Sequence, residues 1–188
     1  MSNALPSEPA AVSRETSDEL VISYSVWRGE RLPDPRTTRR SQVARRLQEI
    51  VEVEGPVTTD RAYKVFIRGA GSTRVTAPVE EALDTAVRLL RSEIETMEFS
   101  VVGGPVQTVL RLPNQPTVLV REIGPREIYE VPLDEIAALM VNALTTHRAI
   151  PGESIKRFVL DTHGLVRLTP RVNRFLETAW RLVEDSQL

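Results

Sequence analysis

RVTAPVEEALDTAVRLL, residues 74–90, is written again as RLTPRVNRFLETAWRLV at residues 167–183. Aligned without a gap over 71–90 and 164–183, nine of twenty positions are identical. They are Gly71/Gly164, Arg74/Arg167, Thr76/Thr169, Val79/Val172, Leu83/Leu176, Thr85/Thr178, Ala86/Ala179, Arg88/Arg181 and Leu89/Leu182. Unrelated segments share about one or two, so the fixed offset marks an internal repeat. Two copies are too few for a solenoid, which needs at least about three to bury a continuous core.

The text around each stretch carries the same order of elements. In the first copy Val43, Leu47, Ile50 and Val51 form an apolar stripe on a helix near 41–53. EGP (54–56) stops it. Thr58 or Thr59 can cap a second helix, with Asp60 in its first turn and Ala62, Val65 and Phe66 facing inward. GAG (69–71) ends that helix, and Thr76 caps a third whose inward residues are Val79, Ala82, Leu83, Ala86 and Leu90. IETMEFSVV (94–102), Gly103-Gly104 and PVQTVLRL (105–112) read as a β-hairpin, followed by TVLVREI (117–123) as a further strand. Three short helices and a hairpin are the winged-helix order.

The second copy opens at Pro132 with a helix to about Thr146, carrying Ile136, Leu139, Met140 and Ala143 inward. A second helix from Pro151 carries Ile155, Phe158 and Val159, and THG (162–164) breaks it. Thr169-Pro170 then gives an N-cap with proline at the first helical position. That last helix buries Val172, Phe175, Leu176, Ala179 and Leu182. Too few residues follow for a wing, so this copy borrows strands or works without them. The expected fold class is α+β: tandem winged-helix or helix-turn-helix repeats with a small antiparallel sheet between them. The expected organisation is a disordered lead, one strand (19–27) and a basic linker over 1–40, a first module with its wing over 41–123, and a second over 124–188.

Composition narrows the function. The chain has 188 residues, 41% hydrophobic and 27% charged, with a net charge of −2, as in an ordinary soluble globular protein. With no cysteine, neither a disulfide nor a thiolate metal site is possible, and a reducing compartment, the cytoplasm, is expected. No apolar run approaches the ~18 residues of a membrane helix, and MSNALPSEPAAVSRE has no apolar signal core. No phosphate-cradling G-x-x-x-x-G-K-[ST] occurs. His147 and His163 sit at inter-helix turns without a partner at metal-ligand spacing. Asp134, Glu135 and Glu153 fall in first turns of helices, where carboxylates complement the helix dipole. No catalytic residue, metal or cofactor is expected.

The segment 51–90 and its sequel also resemble a known family. Glu54-Gly55-Pro56, Gly71-Ser72-Thr73-Arg74 and Val131-Pro132-Leu133-Asp134-Glu135 are similar to the pattern of a domain of unknown function near the C-terminus of large bacterial superfamily-1 helicase-like proteins. Those proteins often also carry a Vsr-type nuclease-fold region. The likeness covers roughly residues 41–183. It implies a role beside DNA processing or defence, with a helicase or nuclease as partner or parent chain, and supplies no catalytic residue.

The basic residues are 22 arginines and two lysines, a bias that reflects a GC-rich genome more than mechanism. The net charge of −2 argues against indiscriminate nucleic-acid coating but leaves room for a local basic face on DNA. In the last helix Arg171, Arg174, Thr178 and Arg181 share one face opposite the apolar stripe, near the end at which such helices meet the groove. Lys156 and Arg157 on the helix before it can add phosphate contacts. Arg74 and Arg167, the repeated Gly-x-x-Arg arginines, either touch phosphate or brace their turns. Arg39 and Arg40 belong to the basic linker. The corresponding face of the first copy, Glu81, Asp84, Arg88 and Arg91, is partly acidic and repels phosphate. The sober reading of every such face is a solvated helix exterior. Two functions therefore stand side by side: non-catalytic binding of double-stranded DNA, and a protein–protein or homodimer module.

Overall fold

The computed structural model describes residues 21–146 and 152–186; the lead over 1–18 and His147 lie outside them. The described residues form a mixed α+β structure of six α-helices and one three-stranded antiparallel sheet.

Helix α1 (Arg40–Glu54) buries Val43, Leu47, Ile50 and Val51, the stripe that the 3.6-residue period sets out. The orphan carbonyls at its end are satisfied from a distance: Gln115 Nε2 donates to Val51 O at 2.9 Å and Glu52 O at 3.1 Å. A Cβ on Gly55 would strike the Gln115 side chain and the Val51 carbonyl, so only glycine fits beneath that glutamine. Strand β1 (Val57–Thr58) follows, and Thr58 then caps α2 (Thr59–Gly69), its Oγ1 accepting from Arg61 N at 3.2 Å. Helix α3 (Ala77–Leu89) packs back on α1 through Val79, Leu83 and Ala86.

The hairpin β2 (Glu95–Phe99) and β3 (Gln107–Arg111) completes the sheet in the order β1–β3–β2, with Met97 opposite Val109 and Val57 opposite Leu110. Then come α4 (Leu133–Thr146), α5 (Gly152–Thr162) and α6 (Pro170–Ser186).

The repeat in the text is a repeat in the helices. Arg40, Thr59 and Ala77 begin α1, α2 and α3; Leu133, Gly152 and Pro170, each 93 positions on, begin α4, α5 and α6. The capping bonds recur as well. At the end of α2, Ser72 N donates to Ile67 O at 2.9 Å and Gly71 N to Arg68 O at 3.0 Å; at the end of α5, Leu165 N donates to Leu160 O at 2.8 Å and Gly164 N to Asp161 O at 3.1 Å. Both glycines are left-handed, φ +82° and +66°, the conformation that this helix-ending motif requires. Glu80 N to Thr76 O at 2.9 Å and Asn173 N to Thr169 O at 2.8 Å open the third helices alike. Only Thr169 adds a side-chain cap, to Val172 N at 3.3 Å; Thr76 does not.

Each copy encloses its own apolar core, and the hairpin serves both. Ile94 and Leu110 belong to the core of α1–α3, whereas Phe99 and Val101 pack against that of α4–α6. Burying a side chain of the Leu or Ile class contributes about 1.5–3 kcal/mol, so these contacts join the copies firmly.

Among the described residues two expected strands, 19–27 and 117–123, are absent. Over 21–27 there is one isolated parallel bridge, Ile22 to Arg121, and 117–123 contributes nothing more than its other side. Ile22 N donates to Val120 O at 3.1 Å and Glu122 N to Ile22 O at 2.9 Å. The pairing stops there because Tyr24 and Arg121 turn into the protein to meet buried charges. The short β1 and a 3₁₀ turn at Ile128–Glu130 were not expected from the sequence.

Candidate nucleic-acid interface

Between the two copies lies a cluster of buried ionic groups. Glu54, wholly buried, accepts from Tyr24 Oη at 2.6 Å, Trp27 N at 2.9 Å and Arg61 Nε at 2.8 Å. Arg121 donates to Glu54 O at 2.8 Å and Pro56 O at 2.6 Å, and forms an ion pair with Glu135 at 2.7 Å. Arg126 pairs with the same carboxylate at 2.9 Å and lies 4.1 Å from the centre of the Tyr24 ring. Lys64 reaches Glu130 at 2.6 Å. Burial, reinforced by the Glu54 carboxylate, pushes the Tyr24 hydroxyl pKa well above its ordinary value. Charges removed from water are tolerable only when paired. Here every charge has an opposite partner, while Arg61 NH1 and Arg121 Nε are left without a hydrogen bond among the described residues. This network fixes the end of α1 and the starts of α2 and α4 together.

Only one trace of this network is written in the sequence. Glu54 falls in phase with Leu47, Ile50 and Val51, and Arg61 in phase with Val65. A charge on an apolar stripe announces a buried partner without saying which.

With the copies so fixed, α3 and α6 both line a cleft of about 830 Å³. Glu80, Asp84 and Arg88 come from α3; Arg171, Arg174 and Phe175 come from α6. Asp84 accepts from Tyr63 Oη at 2.6 Å. Arg171 is exposed, its guanidinium 4.1 Å from the centre of the Tyr129 ring. Arg174 is exposed too, and neither arginine forms an ion pair among the described residues.

Two of the expected contact residues are placed otherwise. Thr178 is not on an outward face: it is 5% exposed, because the hairpin lies over it and Val102 N donates to its Oγ1 at 3.2 Å. Lys156 is 6% exposed, with Nζ 2.6 Å from Glu177 and 3.1 Å from Asn173, so its charge is spent inside the second copy. That bond holds the Glu177 carboxyl below its ordinary pKa, with a smaller contribution from Arg181.

Arg157 is exposed but engaged, 2.8 Å from Asp161 and donating to Val166 O at 3.1 Å. Arg181 and Arg167 are exposed, the latter on the α5–α6 turn. Arg74 is exposed on the α2–α3 turn. Arg39, exposed, takes the N-cap position of α1, and Arg40 NH1 donates back to Pro35 O at 2.5 Å.

Among the described residues no three His, Asp or Glu side chains converge as a metal site, and no helix is long and apolar enough to cross a membrane. Comparison with known protein families, curated proteins and solved structures finds no match to this chain.

Proposed function

We propose that this is a non-catalytic, cytoplasmic tandem winged-helix protein that binds double-stranded DNA by its phosphates, in the setting of DNA processing or defence. The helix order and the sheet order β1–β3–β2 support the winged-helix reading. The observation that carries the binding is the pair Arg171 and Arg174, exposed in the first turns of α6 without a carboxylate partner among the described residues. Arg167 just ahead and Arg181 further along extend the positive surface. Because the hairpin covers Thr178, α6 cannot lie lengthwise in a major groove. Contact is therefore with the backbone, which positions a protein but does not itself read sequence.

The test is titration of labelled duplex over a salt series. Each phosphate neutralised steepens the log–log dependence by ~0.9, so Arg171→Gln with Arg174→Gln should flatten the slope by roughly two such steps. An unchanged slope removes α6 from the interface.

A second reading, a docking or dimerisation module for a helicase- or nuclease-containing assembly, is favoured by one feature. Glu80, Glu81 and Asp84 make the exposed side of α3 acidic, which suits a protein better than DNA. Absence of duplex binding at about 50 mM salt, together with a native mass above the monomer, would select this reading.

A further inference from the structure

The segment ahead of α1, which the sequence presents as a linker, is locked onto the end of α2. Leu32 is 3% exposed, its N–H donates to Gly69 O at 3.0 Å, and Trp27 packs against the same core. A Cβ on Gly69 would meet both Leu32 and Trp27 side chains. This docking brings Arg31 to the α2–α3 turn: its NH2 would stand 3.9 Å from a Cβ on Gly71. Arg68, in the last turn of α2, and Arg74 flank the same glycine.

All three arginines are exposed, and none forms an ion pair among the described residues. Glu30, the carboxylate within the segment, is drawn to Arg46 instead, at 3.7 Å. The equivalent turn of the second copy has lost this character. Asp161 stands where Arg68 does and neutralises Arg157 at 2.8 Å.

We infer that Arg31, Arg68 and Arg74 form a second phosphate-binding site for the nucleic-acid backbone, built on the α2–α3 turn of the first copy and completed by the docked N-terminal segment. It rests on the DNA reading above and extends it from one copy to both. Guanidinium forks match phosphate oxygens in pairs. The site lies on the turn that is repeat-equivalent to the one bearing Arg167, and Val75, next to Arg74, lines the same cleft as Arg171 and Arg174. A duplex engaged by α6 thus meets a second cluster of positive charge.

The experiment compares two variants of the full chain on a labelled duplex of about 20 base pairs across a salt series: Arg31→Gln/Arg68→Gln/Arg74→Gln, and the same positions changed to Lys. The Gln variant should flatten the log–log slope by about 0.9 per arginine removed and bind more weakly at low salt, and the Lys variant should restore the slope. Thermal unfolding of both should match wild type. If the Gln variant keeps the wild-type slope while Arg171→Gln/Arg174→Gln flattens it, this site is wrong and the DNA reading stands. If wild type binds no duplex, both fall. If the Gln variant loses only binding to phosphatidylserine vesicles, with duplex binding intact, the patch serves a membrane surface and the inference is overturned.

Discussion

The backbone N–H of Val102, at the tip of the hairpin that follows α3, donates to the hydroxyl of Thr178 in the middle of α6 at 3.2 Å, and that hydroxyl donates in turn to Arg174 O at 3.0 Å. The hairpin of one copy thus rests on the third helix of the other. Phe99 and Val101 bring apolar surface to the same seam. The second copy borrows its cover, and the middle of its basic helix is closed.

Thr178 therefore separates a groove-reading helix from a covered one. Thr178→Val should cost about 1 kcal/mol in urea unfolding, the net worth of a buried hydrogen bond. Thr178→Arg would strengthen DNA binding on an open recognition face. Here it should displace the hairpin and lower the unfolding midpoint sharply without tightening binding. A Thr178→Arg protein of wild-type stability that binds duplex more tightly would show that the face is open.

The Glu54 hub makes the stability prediction. Glu54→Gln keeps the shape but removes the charge that faces Arg61 at 2.8 Å in a site sealed from water. Breaking a buried pair from one side costs about 3–5 kcal/mol, so this variant should unfold at much lower denaturant. Asp34→Asn, at the exposed pair with Arg36, should leave the midpoint where it is. Equal effects of the two substitutions would mean that the hub is wetter than its geometry indicates.

The parts of this fold that were legible in the sequence are those governed by a local period. Val79, Leu83 and Ala86 and their counterparts Val172, Leu176 and Ala179 are buried as their helical spacing requires. The Gly103-Gly104 turn places its hairpin correctly. What failed depended on partners far along the chain. Alternation in 21–27 reads as a strand, yet Tyr24 is taken by Glu54, 30 residues away, before a ladder can form. Thr178 has the phase of an exposed residue on α6; the hairpin that covers it arrives from 76 residues earlier. Lys156 likewise reads as surface until Glu177 claims it.

The repeat itself can be tested at its glycines. Gly71 and Gly164 close α2 and α5 at φ +82° and +66°, and a Cβ at Gly164 would meet nothing within 4 Å. Replacement by alanine there costs the left-handed backbone alone, roughly 1–2 kcal/mol. At Gly71 the nearest atom is the exposed Arg31 guanidinium, at 3.9 Å an ordinary van der Waals contact, so Gly71→Ala should cost about the same. Chemical denaturation of both variants checks this, and a penalty at one glycine without the other would break the equivalence of the two turns.

The last prediction concerns acid. His163 is 5% exposed with both ring nitrogens unpartnered among the described residues; burial first, and then the Arg126 charge, lowers its pKa from 6.5 to about 4. Asp134 has one buried, unpartnered oxygen, and burial raises its pKa from 3.8 to about 6, against the Glu135 N–H that donates to its other oxygen at 2.9 Å; the Glu135 charge adds a smaller rise and Arg121 opposes it. The two shifts act in opposite senses. As pH falls from 6.5 towards 4, the unfolded chain protonates His163 before the native one does, so stability is lost. As pH falls from 6 towards 3.8, the native chain protonates Asp134 first, so stability is gained. Each limit is about 3 kcal/mol at roughly 1.4 kcal/mol per pKa unit, and in wild type they largely offset each other. Single variants should uncover them. Relative to wild type, His163→Leu should gain stability steadily as pH is lowered, and Asp134→Asn should lose it over nearly the same window. Urea midpoints at about pH 7 and about pH 4 measure both differences. If the gap between His163→Leu and wild type stays constant with pH, His163 titrates as it does in water and is not held neutral by its burial beside Arg126.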